Sequence, residues 1–363
     1  VLPDRLSEHM SMFRRKKSNS SMKFHSIIFI FIIRLLVPDI AKGQEVFRVL
    51  FYNVENFFDT ENNPEKSDDD FTPEGIRHWT NKRHNLKLQQ IAKVILSASD
   101  WNPPAIIGLC EVENESILKV LTEKTPLRNF MYEYRITDGN DIRGINVAIL
   151  YRRDIIRVLN QENIDVSTGK RQRPTRQILY LNAQTLHSAS MDIFTVHFPS
   201  KYGGEKETED ARLNAASMIK EKADSIMNNN KESNIIIMGD FNDTPQSRTL
   251  TEGLKAKDMP EKVSDSNIEG NSLYNLFTNA GGTHKYQGNW SQIDHIIVNT
   301  NIIYGKSRIK FIEDSNRVHS PSFLLKADRT WKGKRPFRTY YGYKYEGGFS
   351  DHLPVMADFV IVP

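Results

Sequence analysis

The stretch "NIIIMGDFNDTP", Asn234 to Pro245, runs four apolar residues into a glycine and then sets out Asp240, Asn242 and Asp243. Ile235 to Met238 predict a buried strand, a short apolar block closed by Gly239. In extended backbone, Asp240 and Asn242 stand two apart and would point the same way. Taken alone, the polar end reads as an Asx-type turn, because Asp, Asn and Gly populate turns for local hydrogen-bonding reasons. Residues elsewhere in the chain favour a second reading, in which the strand delivers its polar end to a chemical site.

Comparable blocks recur at 46–54, 105–112, 146–153, 177–186, 191–198, 292–299 and 353–362. Some alternate apolar and polar residues and others are continuously apolar, as expected of half-exposed and fully buried strands. Helices are expected at 82–98 and 207–227. In the first, Leu88, Ile91, Val94, Ile95 and Ala98 share a face; in the second, Ala211, Ala215, Met218, Ile219 and Ile226 do. A shorter helix is expected after Asn114. Strands outnumber helices and the helices lie far apart, which predicts two packed sheets with helices outside rather than a regular βαβ repeat. Segments 53–80, 199–206 and 315–350 read as long loops, and "SDDDF" at 67–71 as a solvated charge run.

The 363 residues are 39% hydrophobic and 26% charged, ordinary for a soluble globular protein. Residues 1–43 read as a leader. From Met22, Lys23 precedes an apolar core, Ile27 to Val37, and Ala41 and Gly43 precede Gln44, the layout of a signal peptide over 22–43. That core is shorter than the ~20 apolar residues a membrane span needs, and Arg34 interrupts it. A secreted or periplasmic product is expected, without a transmembrane span once the leader is removed. The formal charge of +4 also comes from this segment: its eight Lys+Arg and three Asp+Glu, set against 49 and 45 in the whole chain, leave 41 basic and 42 acidic residues. A polycationic, non-specific nucleic-acid binder is therefore excluded. Cys110 has no partner for a disulfide and reads as a small buried hydrophobe. Residues 44–363 are expected to form one large domain, with no internal repeat or Gly/Ser linker.

Polar residues close or interrupt one strand block after another. They are Asn53, Glu111, His197, Asp240 with Asn242, Asp294 with His295, and Ser350-Asp351-His352. Carboxylates bounding buried strands are costly unless paired or bound to a cation. Hard oxygen donors without a thiol cluster suit Mg²⁺ or Mn²⁺ rather than structural zinc.

The segments "FYNVENFFD", "GLCEVEN", "VHFPS", "GDFND", "QIDHI" and "SDHLPV" occur in that order. Together they resemble the endonuclease/exonuclease/phosphatase superfamily over about Val46 to Val362, and most closely its bacterial secreted members. The resemblance implies a four-layer α/β/β/α sandwich, two mainly antiparallel mixed sheets face to face with helices outside. It implies that Glu111 is the principal metal ligand, with Asn53 supporting metal or phosphate beside it and Asp351 a further metal-side carboxylate. Asp240 and Asn242 would position the attacking water and the phosphate, with Asp240 the candidate base. His352, oriented by Asp294, would face the phosphate, and His197 would bind phosphate or assist the leaving group. Arg143 is a candidate phosphate contact, while Glu113 and His295 read as packing residues or supports of the site. The implied activity is metal-dependent hydrolysis of a phosphoester, nuclease-like in the first instance. A phosphomonoesterase or sphingomyelinase-like enzyme is the alternative, and a catalytically silent binding module a third reading. The basic-aromatic segment Trp331–His352 could track nucleic acid, a small phosphorylated molecule or a lipid headgroup, or simply pack.

Overall fold

Ile235 and Ile237 pack to one side of their strand and Ile236 and Met238 to the other, and both sides are buried. A continuously apolar strand is what a sheet covered on two faces requires. The protein is described by a computed structural model covering residues 45–362, apart from 101, 140, 168–173, 261–269, 279 and 305–306. The leader expected over 1–43, with its signal peptide at 22–43, lies outside the described residues.

The two principal sheets contain, in chain order, β1 (Glu45–Phe57), β2 (Ile106–Val112), β3 (Tyr132–Ile136), β4 (Asn146–Arg152), β5 (Ile156–Ile164), β6 (Ile178–Thr185) and β7 (Ser190–His197). They continue with β8 (Ile235–Asp240), β9 (Ala256–Asp258), β10 (Leu273–Asn275), β11 (Asp294–Asn299), β12 (Ile309–Phe311), β13 (Arg317–Val318) and β14 (Val355–Ile361). The longer helices are α1 (Asn81–Ser97), α2 (Glu115–Lys124) and α3 (Glu205–Asn229). One sheet has the order β12-β14-β1-β2-β4-β3, with β13 also on β14; the other runs β5-β6-β7-β8-β11-β10-β9.

Most neighbours are antiparallel, but β1 runs parallel to β2, β7 to β8 and the short β9 to β10. Parallel neighbours need a crossover. Helix α1 makes it for the first pair and α3 for the second, so each sheet carries one βαβ unit at its centre. α1 and α2 bury Leu88, Ile91, Ile117 and Leu121 against Leu50, Tyr52, Ile107 and Leu109 on the outside of the first sheet. α3 buries Ala215, Ile219 and Ala223 against Phe194, Val196, Ile235 and Ile237 on the outside of the second. Between the sheets lie Val49, Phe51, Ile106, Cys110, Ile193, Ile236, Met238, Ile296 and Val298. The architecture is thus the four-layer sandwich, and Cys110 is a buried, free thiol of its central layer.

Two sequence expectations change. The charge run at 67–71 is not simply solvated: Asp68 is buried and accepts the Asn63 N–H, and Phe71 stacks on Phe58 with centroids 4.4 Å apart. Segment 315–350 is not all loop either. Its residues 325–327 pair with 334–336 and its residues 340–341 with 344–345. Strands β3 and β5 were not expected. β5 carries exposed polar residues over much of its length, so it lacks the apolar pattern that marks a strand.

Candidate active site

Strand parity builds most of the site. Val49 and Phe51 of β1 point between the sheets, and the next inward position is Asn53. On β7, Met191 and Ile193 point inward and the same parity brings His197 to the rim. On β8, Ile236 and Met238 lead to Asp240; on β11, Val298 and Ile296 lead back to Asp294. Asp240 is the register partner of both His197 and Asp294. Asn53, Glu111, His197 and Asp240 all lie toward the C-terminal ends of the two central parallel pairs, β1–β2 and β7–β8. Open α/β sheets characteristically bind ligands at the C-terminal ends of their strands.

Glu111 breaks the rule. Leu109 points to the outer face and Cys110 inward, so parity would send Glu111 outward. The ladder to β4 is interrupted between Cys110 and Val112, and Glu111 has a φ of 65°. This bulge re-aims the side chain. Its Oε1 lies 3.9 Å from His197 Nε2 and its Oε2 accepts the Asn56 N–H at 2.8 Å.

The cluster is tight. His352 Nδ1 and Asp294 Oδ2 are 2.8 Å apart, and His352 Nε2 lies 3.8 Å from Asp240 Oδ2. His197 Nε2 approaches the same oxygen to 3.6 Å. Burial works against a charge on His352, but the carboxylates of Asp294, Asp240 and Asp351 outweigh it and hold the imidazole well above its ordinary value. Burial, reinforced by the Asp294 carboxylate, pushes Asp240 up to about 7. Burial, with the positive charges of Arg176, Arg143 and His352, holds His197 well below its ordinary value, so that imidazole is neutral. Two histidines at one rim thus carry different charges.

Asn53 and Asn242 are tied into the rim by their own hydrogen bonds. The Asn53 Oδ1 accepts the Glu55 N–H at 2.9 Å, and its Nδ2 faces Asp240 Oδ2 at 3.0 Å and Glu111 Oε1 at 3.4 Å. This orientation makes its amide a donor between two carboxylates. Asn242 does not continue the strand: its φ is 51°, its N–H donates to Asp240 Oδ1, and its Nδ2 donates to the Phe198 carbonyl. The Asx turn and the site therefore coexist, the turn bracing both Asp240 and the end of β7. Asp351 faces His284 at 3.9 Å and groups with His284 and His352. Arg143 lies beside Asp141, Nε to Oδ1 3.6 Å, on the β7 side of the rim. His295 contacts Asn275 Nδ2 through Nδ1 and the Asp243 carbonyl through Nε2. Glu113 accepts the Asp59 N–H.

Several supports received no role from the sequence, although Glu55 and Ser350 lie inside two of the quoted segments. Buried Arg176 donates to the carbonyls of His197 (3.2 Å) and Phe198 (2.5 Å). Buried Lys87 donates to Thr339 Oγ1 and the Phe349 carbonyl, while buried Glu55 accepts the N–H groups of Thr339 and Tyr340. Ser350 Oγ donates to the Asn53 carbonyl and accepts the His352 N–H. Together these groups fasten the segment that ends in His352 to β1 and α1. Lys87, as a helical lysine between apolar neighbours, was the one legible signal.

The donor set fits a hard divalent cation. Asp240 and Asp294 group with His352, Asp351 groups with His284 and His352, the Glu111 carboxylate lies beside His197, and the Cys110 thiol belongs to the core. Among the described residues, Asp294 Oδ1 and His197 Nδ1 are buried without a hydrogen-bond partner, as expected where a ligand completes the network.

Comparison with known proteins agrees with the fold. A mannosyl-6-phosphatase from Bacteroides thetaiotaomicron has 17% identity and a TM-score of 0.54, covering 86% of this chain and 99% of that one. An endonuclease/exonuclease/phosphatase family protein from the same organism has 16% identity and a TM-score of 0.53, covering 88% and 97%. The human nocturnin catalytic domain with bound sulfate has 13% identity and a TM-score of 0.51, covering 87% and 97%. No curated protein sequence matches the chain. The profile of the endonuclease/exonuclease/phosphatase family matches residues 48–360. With nearly the whole described chain inside that match, the protein belongs to the endonuclease/exonuclease/phosphatase family and is a hydrolytic phosphoesterase.

Proposed function

We propose that this protein is a Mg²⁺- or Mn²⁺-dependent phosphodiesterase, nuclease-like, that cleaves by in-line attack of water on phosphorus. The observation that carries the reading is the convergence of a carboxylate-held imidazole (His352 with Asp294, 2.8 Å) and a second carboxylate, Asp240, 3.8 Å from that imidazole. Asp240 accepts the proton of the attacking water, and its value near 7 suits a base working at neutral pH. His352 offers a positively charged N–H to a non-bridging oxygen, while Asp294 fixes its ring. Neutral His197 and the Asn53 amide donate to the remaining phosphate oxygens, and Arg176 keeps His197 in place through its carbonyl. A divalent cation held by Glu111, with Asp351 as a further carboxylate, would neutralise charge on the phosphoryl group.

The test is a panel of substrates assayed with Mg²⁺, with Mn²⁺ and with chelator: plasmid DNA, RNA, bis(p-nitrophenyl) phosphate, inositol phosphates, mannose 6-phosphate and sphingomyelin vesicles. Cation-dependent diester cleavage, absent from Asp240→Ala, is expected. Activity confined to monoesters, such as the substrate class named for the Bacteroides mannosyl-6-phosphatase, or to sphingomyelin would overturn the diesterase assignment. Export to the periplasm or medium is part of the proposal and rests on the apolar run Ile27–Val37. It predicts an exported protein beginning at Gln44; mass spectrometry finding Met22 retained on the exported protein would overturn cleavage and mean an anchored form.

A further inference from the structure

A groove of about 670 Å³ opens beside the end of β7, lined by Arg143, Thr175, Arg176, Ser200, Tyr202 and Glu207 among others. Its floor is part of the catalytic rim, because Arg176 donates to the carbonyls of His197 and Phe198 and Asn242 donates to the second of these. The volume exceeds what a phosphate group needs and lies in the range of sites for small organic ligands.

Four features of the groove point to its occupant. Asp141 is shared by two guanidinium groups: its Oδ2 lies 3.2 Å from Arg176 Nη1, and its Oδ1 accepts the Arg143 N–H and faces Arg143 Nε at 3.6 Å. One positive charge is left over. The Arg143 side chain is 43% exposed and the Arg176 side chain 6%, so Arg143 carries that charge to the opening. The second feature is Thr175, 9% exposed, whose Oγ1 has no hydrogen-bond partner among the described residues. Third, Tyr202 is 90% exposed, on a turn where Gly203 and Gly204 take φ values of 91° and 126°. Those conformations favour glycine and lift the ring away from the body of the protein. A tyrosine so exposed adds nothing to the core, whereas its free face can accept a stacked ring. Fourth, the groove's carboxylates are engaged, Asp141 by the arginines and Glu207 by its own interactions. The exposed aromatic face beside a guanidinium suits a flat ring with a flanking anion.

We propose that this groove receives the nucleotide next to the scissile phosphodiester, its base stacked on Tyr202 and its flanking phosphate paired with Arg143. Stacking platforms beside a cationic group are a general means of holding nucleic-acid strands. The inference rests on the diesterase reading above and names the substrate class for it.

Three diesters that share a p-nitrophenyl leaving group test it in the presence of Mg²⁺ or Mn²⁺. They are methyl p-nitrophenyl phosphate, the 5′-(p-nitrophenyl phosphate) of thymidine, and the same thymidine ester bearing a 3′-phosphate. The wild-type protein is expected to prefer the thymidine ester to the methyl ester in kcat/KM. Tyr202→Ala should reduce that preference about tenfold, within the range of one base–aromatic stack, and Tyr202→Phe should keep it. Arg143→Ala should abolish the additional gain from the 3′-phosphate. An unchanged preference in Tyr202→Ala would overturn the groove assignment and leave the diesterase reading standing. A Tyr202-dependent hydrolysis of mannose 6-phosphate would overturn it in favour of a sugar subsite. Hydrolysis of none of the three diesters would overturn both readings together.

Discussion

Gly239, the glycine of "IIIMGDFND", is where fold and site are most directly coupled. A Cβ added there would stand 2.2 Å from Val196 Cγ2 and 2.5 Å from the Val196 carbonyl oxygen. The methyl of Val196 could turn aside, but the carbonyl belongs to the neighbouring parallel strand and can recede only if β7 and β8 separate. Restoring an ordinary contact of about 3.4 Å to that oxygen requires a shift of about 1 Å. Gly239 pairs with Val196 one step before His197 pairs with Asp240, so the shift falls on the Asp240 carboxylate and the His197 imidazole. Overpacking of this kind costs about 1–3 kcal/mol. With roughly 2 cal/mol/K of unfolding entropy per residue, 3 kcal/mol lowers the Tm of a chain this long by about 5 °C. A displacement of about 1 Å at reacting groups costs roughly 100-fold in turnover. Gly239→Ala should therefore remain folded, melt a few degrees lower and lose most of its kcat on bis(p-nitrophenyl) phosphate. Adding Val196→Ala removes the methyl clash and leaves the carbonyl one, so it should fail to restore kcat. Wild-type Tm and kcat in Gly239→Ala would refute the coupling.

Three further outcomes are expected. Asp240→Ala, Glu111→Ala and His352→Ala should each lower turnover by roughly two orders of magnitude or more while leaving a cooperative thermal transition; near-normal hydrolysis by all three would remove the site assignment. Lys87→Met leaves the Phe349 carbonyl without its donor and loosens the segment leading to His352, so kcat should fall about tenfold with KM less affected, and equal falls in both would argue against a positioning role. Burial, with the neighbouring Asp59 and Asp68 carboxylates, pushes Glu113 up to about 8, above its ordinary 4.5. A raised folded value contributes stability that is complete below pH 4.5 and lost as pH rises through about 8. Glu113→Gln should thus flatten the decline in Tm across that window, by on the order of 2 kcal/mol, and parallel Tm–pH curves for the two proteins would count against it.

How much of this was legible in the sequence depends on which rule governs each residue. Period-2 alternation has a physical basis in the pleat, so the inward positions of β1, β7, β8 and β11 could be followed to their polar ends at Asn53, His197, Asp240 and Asp294. The continuous run Ile235–Met238 likewise announced a strand covered on both faces, and the helices on the outside came from the 3.6-residue period. The same rule misplaces Glu111, because its inward aim comes from one positive φ and a break in the ladder, neither of which leaves a mark on hydrophobic periodicity. It also misplaces Asn242, where extended geometry was assumed and the chain turns. Arg176, Lys87 and Glu55 escaped for a different reason. They act on backbone carbonyls and N–H groups across the fold, so nothing adjacent to them in sequence records the partner. Asn53, His197, Asp240 and Asp294 sit at strand ends and can be inferred from alternation; the groups that hold those strand ends in place depend on tertiary contacts alone. A substitution such as Lys87→Met, remote from every motif, is therefore the sharper probe of whether the rim is held rigidly or only lined with the right groups.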